Sequence, residues 1–176
     1  MTLKNLKKLI RFRKSEEGSL TVEFVIIFPL FLFLILSAVE YSLVTIKQAM
    51  LERAVDITVR DIRLSTGETM THDSIKDAIC ANATIIDDCS NNLLLEMIEQ
   101  SAYTGVNLPI EPTCVDRSEE VQPVTTFENG PPNALMILRA CAKVDPIFPS
   151  SNMGRALVGD DELIALTATT AFVQEP

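Results

Sequence analysis

Gly18-Ser19-Leu20-Thr21-Val22-Glu23-Phe24 leads directly into Phe24–Val39, FVIIFPLFLFLILSAV, and these two stretches decide how the chain is arranged. The run is sixteen residues long and carries no charge. With Val22 and the amphipathic continuation past Glu40, it predicts a hydrophobic helix of about the 20 residues that a bilayer requires. Six basic residues precede it: Lys4, Lys7, Lys8, Arg11, Arg13 and Lys14. By the positive-inside rule this end stays cytoplasmic and the rest of the chain is exported. No small-x-small cleavage site follows the run, since Leu36-Ser37-Ala38 places a bulky residue where a small one is needed. An ordinary secretory signal is therefore not expected.

Glu23 is the anomaly in this stretch. A carboxylate at the start of a membrane-spanning helix costs about 2–3 kcal/mol or more without a partner. One reading places it at headgroup depth, one turn into the helix, where it favours the N-terminal dipole. The other depends on Gly18. Were the chain cut after Gly18, Ser19 would become an amino terminus, and its ammonium on a neighbouring copy could neutralise Glu23.

A basic leader, a glycine, four residues, then Glu-Phe and a long apolar helix resembles the processing site of type IV pilin-like precursors. Among these it is most similar to the TadE-type pseudopilins of tight-adherence (Tad/Flp) pilus systems. The final strand, Leu163-Ile-Ala-Leu-Thr-Ala-Thr-Thr-Ala-Phe172, followed by Val173-Gln-Glu-Pro176, also resembles the way TadE-like chains end. The resemblance implies a minor pseudopilin, processed by a prepilin peptidase between Gly18 and Ser19. Glu23 and Phe24 would then set assembly register, with Glu23 meeting the Ser19 amine of an adjacent subunit. It further implies, as partners, other minor pseudopilins, the major Flp pilin and an inner-membrane assembly platform. The location it implies is a single-pass inner-membrane protein with a cytoplasmic N-terminus and a periplasmic domain, open to incorporation into the pilus. Major Flp-type pilins are little more than the helix, so the size of this chain argues for a minor subunit.

Charge divides at the same place. Residues 1–18 hold six basic and two acidic side chains, whereas the remainder holds nine basic and 22 acidic ones. An exported part with a net charge of −13 lacks the basic face that nucleic acid needs. With no Trp and two Tyr, an aromatic platform for sugars or bases is not expected either. The four cysteines, Cys80, Cys89, Cys114 and Cys141, all fall in the exported part, as disulfides of an oxidising periplasm would. Their spacings of 9, 25 and 27, with a single His in the chain, argue against zinc. Four cysteines allow three connectivities, and sequence alone does not choose. The pairing expected is Cys80–Cys89, closing a short loop, and Cys114–Cys141, tying two extended segments.

The predicted organisation is a leader over 1–18, a long helix over 19–66 and a periplasmic α+β domain over 67–176. The helix is read as transmembrane over about 22–42 and amphipathic over 43–66. Its soluble half shows Leu43, Ile46, Met50, Ala54 and Ile57, with Leu51, Val55 and Ile62 alongside, at the three-and-four spacing of one helical face. Pro29 is expected to kink or locally melt it, and Gly67 to stop it. A second helix is predicted from Asp73 to about Ala81, capped by Thr71 or Asp73, and a third from about Asn91 to Ser101. After Gly105 prolines punctuate short extended pieces at Thr113–Asp116 and Val121–Phe127. Alternating runs over Ala134–Val144 and Leu163–Val173 predict two long strands, hence a small antiparallel sheet with the long helix across one face.

Motifs of catalysis are lacking: there is no nucleophile elbow, phosphate loop, H-E-x-x-H or dinucleotide fingerprint. His72 reads as a surface loop residue, and Asp87-Asp88 and Asp160-Asp161-Glu162 as solvated turns. No enzyme, cofactor or metal is expected. The alternative to the pseudopilin is an uncleaved single-pass anchor with a periplasmic binding or sensor domain, in which Glu23 is replaceable.

Overall fold

A computed structural model describes residues 19–64, 70–101, 103, 105, 108–119 and 121–175. The 1–18 leader and Gly67 lie outside the described residues. Helix α1 spans Ser19–Leu64, 46 residues or about 69 Å at 1.5 Å per residue. It runs without interruption through Pro29. The melted turn expected there is not formed, since the helix continues on both sides of Pro29. Six core residues of α1 (Leu51, Ala54, Val55, Thr58, Val59 and Ile62) turn inward at three- and four-residue spacing. Leu51, Ala54, Val55 and Ile62 are among the residues expected there, and the face is centred on them rather than on the rest of the expected set. Ile46 stays exposed, and Leu43, Met50 and Ile57 are only half-buried beside it.

Beyond α1 the domain is α+β. Helix α2, His72–Asn82, starts at a capping box in which Thr71 and Ser74 exchange hydrogen bonds. It buries Ile75 and Ile79. A single turn, α3 (Cys89–Asn92), leads into strand β1, Leu93–Gln100. Strand β2 covers Leu135–Val144, α4 covers Asn152–Leu157, and β3 covers Ile164–Val173. The sheet is antiparallel in the order β1-β2-β3. Register is fixed by Leu93 opposite Ala142 at one end of β1, and by Leu135 opposite Val173 at one end of β3.

The third helix expected over Asn91–Ser101 is thus a strand. Leu93, Leu94, Met97 and Ile98 fit a helical face, and Leu93, Leu95 and Met97 fit one face of a strand equally well. Pairing with β2 decides between them. The start of β1 is covered on both sides, so Leu93, Leu94 and Leu95 are all buried and the alternation that marks a half-exposed strand is lost. The extended piece Val121–Phe127 forms no strand of its own. It touches β1 once, where the Met97 N–H donates to the Thr126 carbonyl and the Glu128 N–H to that of Met97.

The sheet is covered on both faces over β2. Met136, Leu138, Ala140, Ala142 and Val144 face α1 and α2, as their alternation predicts. Ile137, Arg139 and Cys141 point the other way, yet they are buried too. The segment around Pro109–Val115 lies over them. Cys114 is bonded to Cys141, the Arg139 guanidinium donates to the Pro109 carbonyl at 3.0 Å, and Val115 is buried. The second disulfide, Cys80–Cys89, ties the end of α2 to the start of α3. Each bridge contributes about 2–4 kcal/mol, mainly by restricting the unfolded chain. His72 is not a loop residue: it begins α2, and its ring meets Phe127 edge-on at 5.4 Å.

Asp161, in the turn before β3, is not simply solvated. Its carboxylate pairs with Lys143 at 2.8 Å and accepts the Leu163 N–H. Burial works against its charge, but the Lys143 hydrogen bond and charge together with the Leu163 N–H outweigh it. The carboxyl is held below the usual carboxylate range. A depressed folded-state pKa adds stability that is complete above the unfolded value, about 3.9, and disappears as pH falls through the folded value. In urea unfolding across pH 2–7, Asp161→Asn is expected to lower stability at neutral pH and to give a shallower acid limb than the parent. An unchanged acid limb would show the pair to be energetically silent.

Candidate functional site

The candidate site is the N-terminal half of α1 and the place where that helix enters the domain. From Leu20 to Leu36 every apolar side chain of α1 is exposed, Leu20 at 83% and Phe24 at 60%. This is one helix long and apolar enough to cross a membrane. The rise from Leu20 to Glu40 is about 30 Å, the thickness of a bilayer's hydrocarbon core. Glu23 lies one turn past Ser19 on the same side of the helix, with Leu20 and Ile27 as its apolar neighbours at helical spacing. Phe24 stacks on Phe28, ring centroids 4.9 Å apart. Gly18 lies outside the described residues.

At the far end of the apolar run is a second acid, Glu40. Although charged in character, it is 1% exposed. Its two carboxyl oxygens each accept one backbone N–H, from Ile147 at 3.0 Å and from Phe148 at 2.8 Å. Those donors belong to the loop Asp145-Pro146-Ile147-Phe148-Pro149 that leaves β2. Two prolines deprive this loop of donors of its own, and Glu40 takes the N–H groups that remain between them. One turn earlier Ser37 is buried as well, without a hydrogen-bond partner for its hydroxyl among the described residues. Sequence reading passed over Glu40 as the residue that ends the apolar run. The available sign was a lone acid at the end of the apolar run, one turn past Leu36-Ser37.

The loop is held from its other side by α4. Ser151 caps α4 through the Gly154 N–H, and Gly154 packs on the Phe148 carbonyl so closely that a Cβ there would overlap its oxygen. Further along α1, Gln48 donates to the Thr167 carbonyl of β3 at 2.8 Å, and Lys47 lies 3.8 Å from Asp87 in the loop before α3. At the end of β2, Asp145 receives the Arg117 guanidinium at 3.0 Å, and Arg117 also donates to buried Asn92 at 2.8 Å. The helix is therefore fastened to the domain at the end of its exposed apolar run by Glu40 and beyond it by its buried apolar face.

Among the described residues no three His, Cys, Asp or Glu side chains gather as a metal site. Residues 18–60 match the family described as TadE-like protein, a match that begins at Gly18 and ends within the second half of α1. No curated protein and no solved structure matches the chain.

Glu40→Ala removes the acceptor of two part-buried N–H groups and is expected to cost about 1–3 kcal/mol. Glu40→Gln, which keeps one acceptor oxygen, is expected to cost about half as much. Urea midpoints of the detergent-solubilised protein check both, and a Glu40→Ala value within 0.5 kcal/mol of the parent, on the order of a neutral surface change, would rule the clamp out. Gly154→Ala is expected to destabilise the same loop, read as faster amide exchange at Ile147 and Phe148.

Proposed function

We propose that this chain is a minor pseudopilin of a Tad/Flp pilus, cut by a prepilin peptidase after Gly18 and acting in pilus assembly or initiation and in surface adherence. The observation that carries the reading is the coincidence of three features on α1. The TadE-like match covers residues 18–60, an acid sits at position 23 of an otherwise uncharged apolar stretch, and the same helix continues as the spine of a folded domain. An inner-membrane anchor alone needs the second half of such a helix no more than it needs Glu23. A subunit that leaves the bilayer for a fibre needs both, because the apolar half must exchange lipid for neighbouring helices while the domain stays attached.

In this reading residues 1–18 remain cytoplasmic and the domain is periplasmic, since the basic residues crowd one side of the span. Gly18 gives the peptidase a bond with no side chain before it. Cleavage frees the Ser19 ammonium, which on one subunit meets Glu23 of the next. In a low-dielectric setting that pair lowers the cost of the buried carboxylate and discriminates against any other axial register. The domain supplies contacts to other minor pseudopilins, to the major pilin or to the assembly platform. Its role is structural and not catalytic.

The test is the intact mass of the membrane-extracted protein made with and without its cognate prepilin peptidase. Residues 1–18 are expected to be lost only when the peptidase is present, and Gly18→Val to block the loss. Glu23→Ala is expected to be processed normally yet to enter pili about tenfold or more below the parent level. A full-length chain in both cells would overturn the reading in favour of an uncleaved anchor with a periplasmic binding or sensor domain.

A further inference from the structure

We propose that the free edge of β3 is a docking site for an extended, otherwise uncharged segment of a different polypeptide that carries one basic residue against Glu52 and Asp56. The hydrogen-bond parity of β3 identifies the edge. Gln174 exchanges backbone bonds with Asn133 and Ala134 on the β2 side, and the β2–β3 register is unbroken from Ile164 to Val173. Even-numbered residues of β3 therefore bond to β2, and the N–H and C=O groups of Ala165, Thr167, Thr169, Ala171 and Val173 point away from it. The Thr167 carbonyl agrees, since it accepts from Gln48 on the outer side. Among the described residues no backbone group pairs with the others.

Edges of this kind are ordinarily blunted by a charge, a proline or a bulge. Ile164–Val173, IALTATTAFV, has none of them across ten residues. The side chains of the outward set are exposed or half-buried, and all are small or β-branched. The other edge of the sheet is handled differently, because residues 126–128 already occupy the outward groups of Met97 on β1.

Two arguments choose the occupant. A second copy paired symmetrically through β3 needs a twofold axis normal to the sheet. That axis would reverse α1, which lies along the sheet face, and would send the two apolar helices in opposite directions. This step rests on the membrane-spanning reading of α1. A second copy arranged head to tail would offer β1, whose edge is taken at Met97. The remaining occupant is a strand from another chain, added by β-augmentation. Its charge follows from the groove between α1 and β3, lined by Glu52, Val55, Asp56 and residues 168–170 with a volume of about 170 Å³. Neither Glu52 nor Asp56 has a cationic partner among the described residues, so the groove favours a Lys or Arg on the incoming strand.

The probes are two synthetic nonapeptides of alternating Thr and Val, one with a central Lys and one with a central Glu. Binding to the full chain in nanodiscs is read by fluorescence anisotropy and amide exchange. The Lys peptide is expected to bind about tenfold or more tightly than the Glu peptide, and Asp56→Lys to reverse that order. Thr169→Pro removes an outward N–H that the fold does not use, so it should weaken the Lys peptide about tenfold while the even-numbered amides of β3 stay protected. The outward amides should exchange quickly in the free protein and slowly in the complex. No saturable binding at millimolar peptide, equal binding of the two peptides, or indifference to Thr169→Pro overturns the proposal. A dimer in which the outward amides are already protected overturns it in favour of a second copy. None of these readouts depends on peptidase cleavage, so failure here is distinct from failure of the pseudopilin reading.

Discussion

Two backbone N–H groups, those of Ile147 and Phe148, end on the carboxyl of Glu40, and that contact fixes the apolar half of the helix to the domain where the buried face of α1 begins. Glu40 is at the last position before α1 turns from exposed apolar residues to a mixed surface. A buried acid is costly unless its oxygens are satisfied, and a proline-flanked loop with unsatisfied N–H groups is costly as well. Each offsets the other's cost. Gly154, pressed against the Phe148 carbonyl, leaves the loop no room to withdraw.

The domain hung from this junction is a thin one. Its sheet has three strands, and α1 and α2 close one face with Leu51, Val55, Ile75 and Ile79 among the fully buried side chains. The opposite face is closed by a chain segment without regular structure, which by itself has little to hold it in place. Cys114–Cys141 and the Arg139 bond to Pro109 hold it there, and Arg117 extends the attachment to Asn92 and Asp145. Glu96 faces Arg139 across the strands at 3.7 Å, a long contact that leaves one Glu96 oxygen without a hydrogen bond among the described residues. This layer relies on cross-links more than on packing. Such an arrangement suits a protein folding where disulfides persist.

Legibility in the sequence followed the range of the interactions involved. Helix α1, the Thr71 cap of α2 and the alternation of β2 and β3 are local patterns, and their residues declare them. Leu93–Gln100 declared a helix as readily as a strand, because leucine, methionine and glutamate form helices well and the run is apolar on both sides. Only the ladder to Leu135–Ala142 settles it. The inward face of α1 was likewise ambiguous: Ile46, Met50 and Ile57 continue the apolar side of the upper helix and look like core, yet the sheet meets the helix some 90° away. Nothing local announces that a segment some 30 residues earlier will cover Arg139 and Cys141.

The sequence by itself determined that an apolar helix of bilayer length, with an acid near its start, runs on into a small α+β domain closed by two alternating strands. These are consequences of composition and of periods of 3.6 and 2 within short windows. Tertiary structure alone decided that β1 is a strand, which face of α1 is core, that the sheet is covered twice, and that Glu40 is a clamp. The Glu40 donors stand 107 and 108 residues away. No local period encodes an acceptor for a donor at that distance, so the contact exists only once the sheet has placed the loop beside the helix.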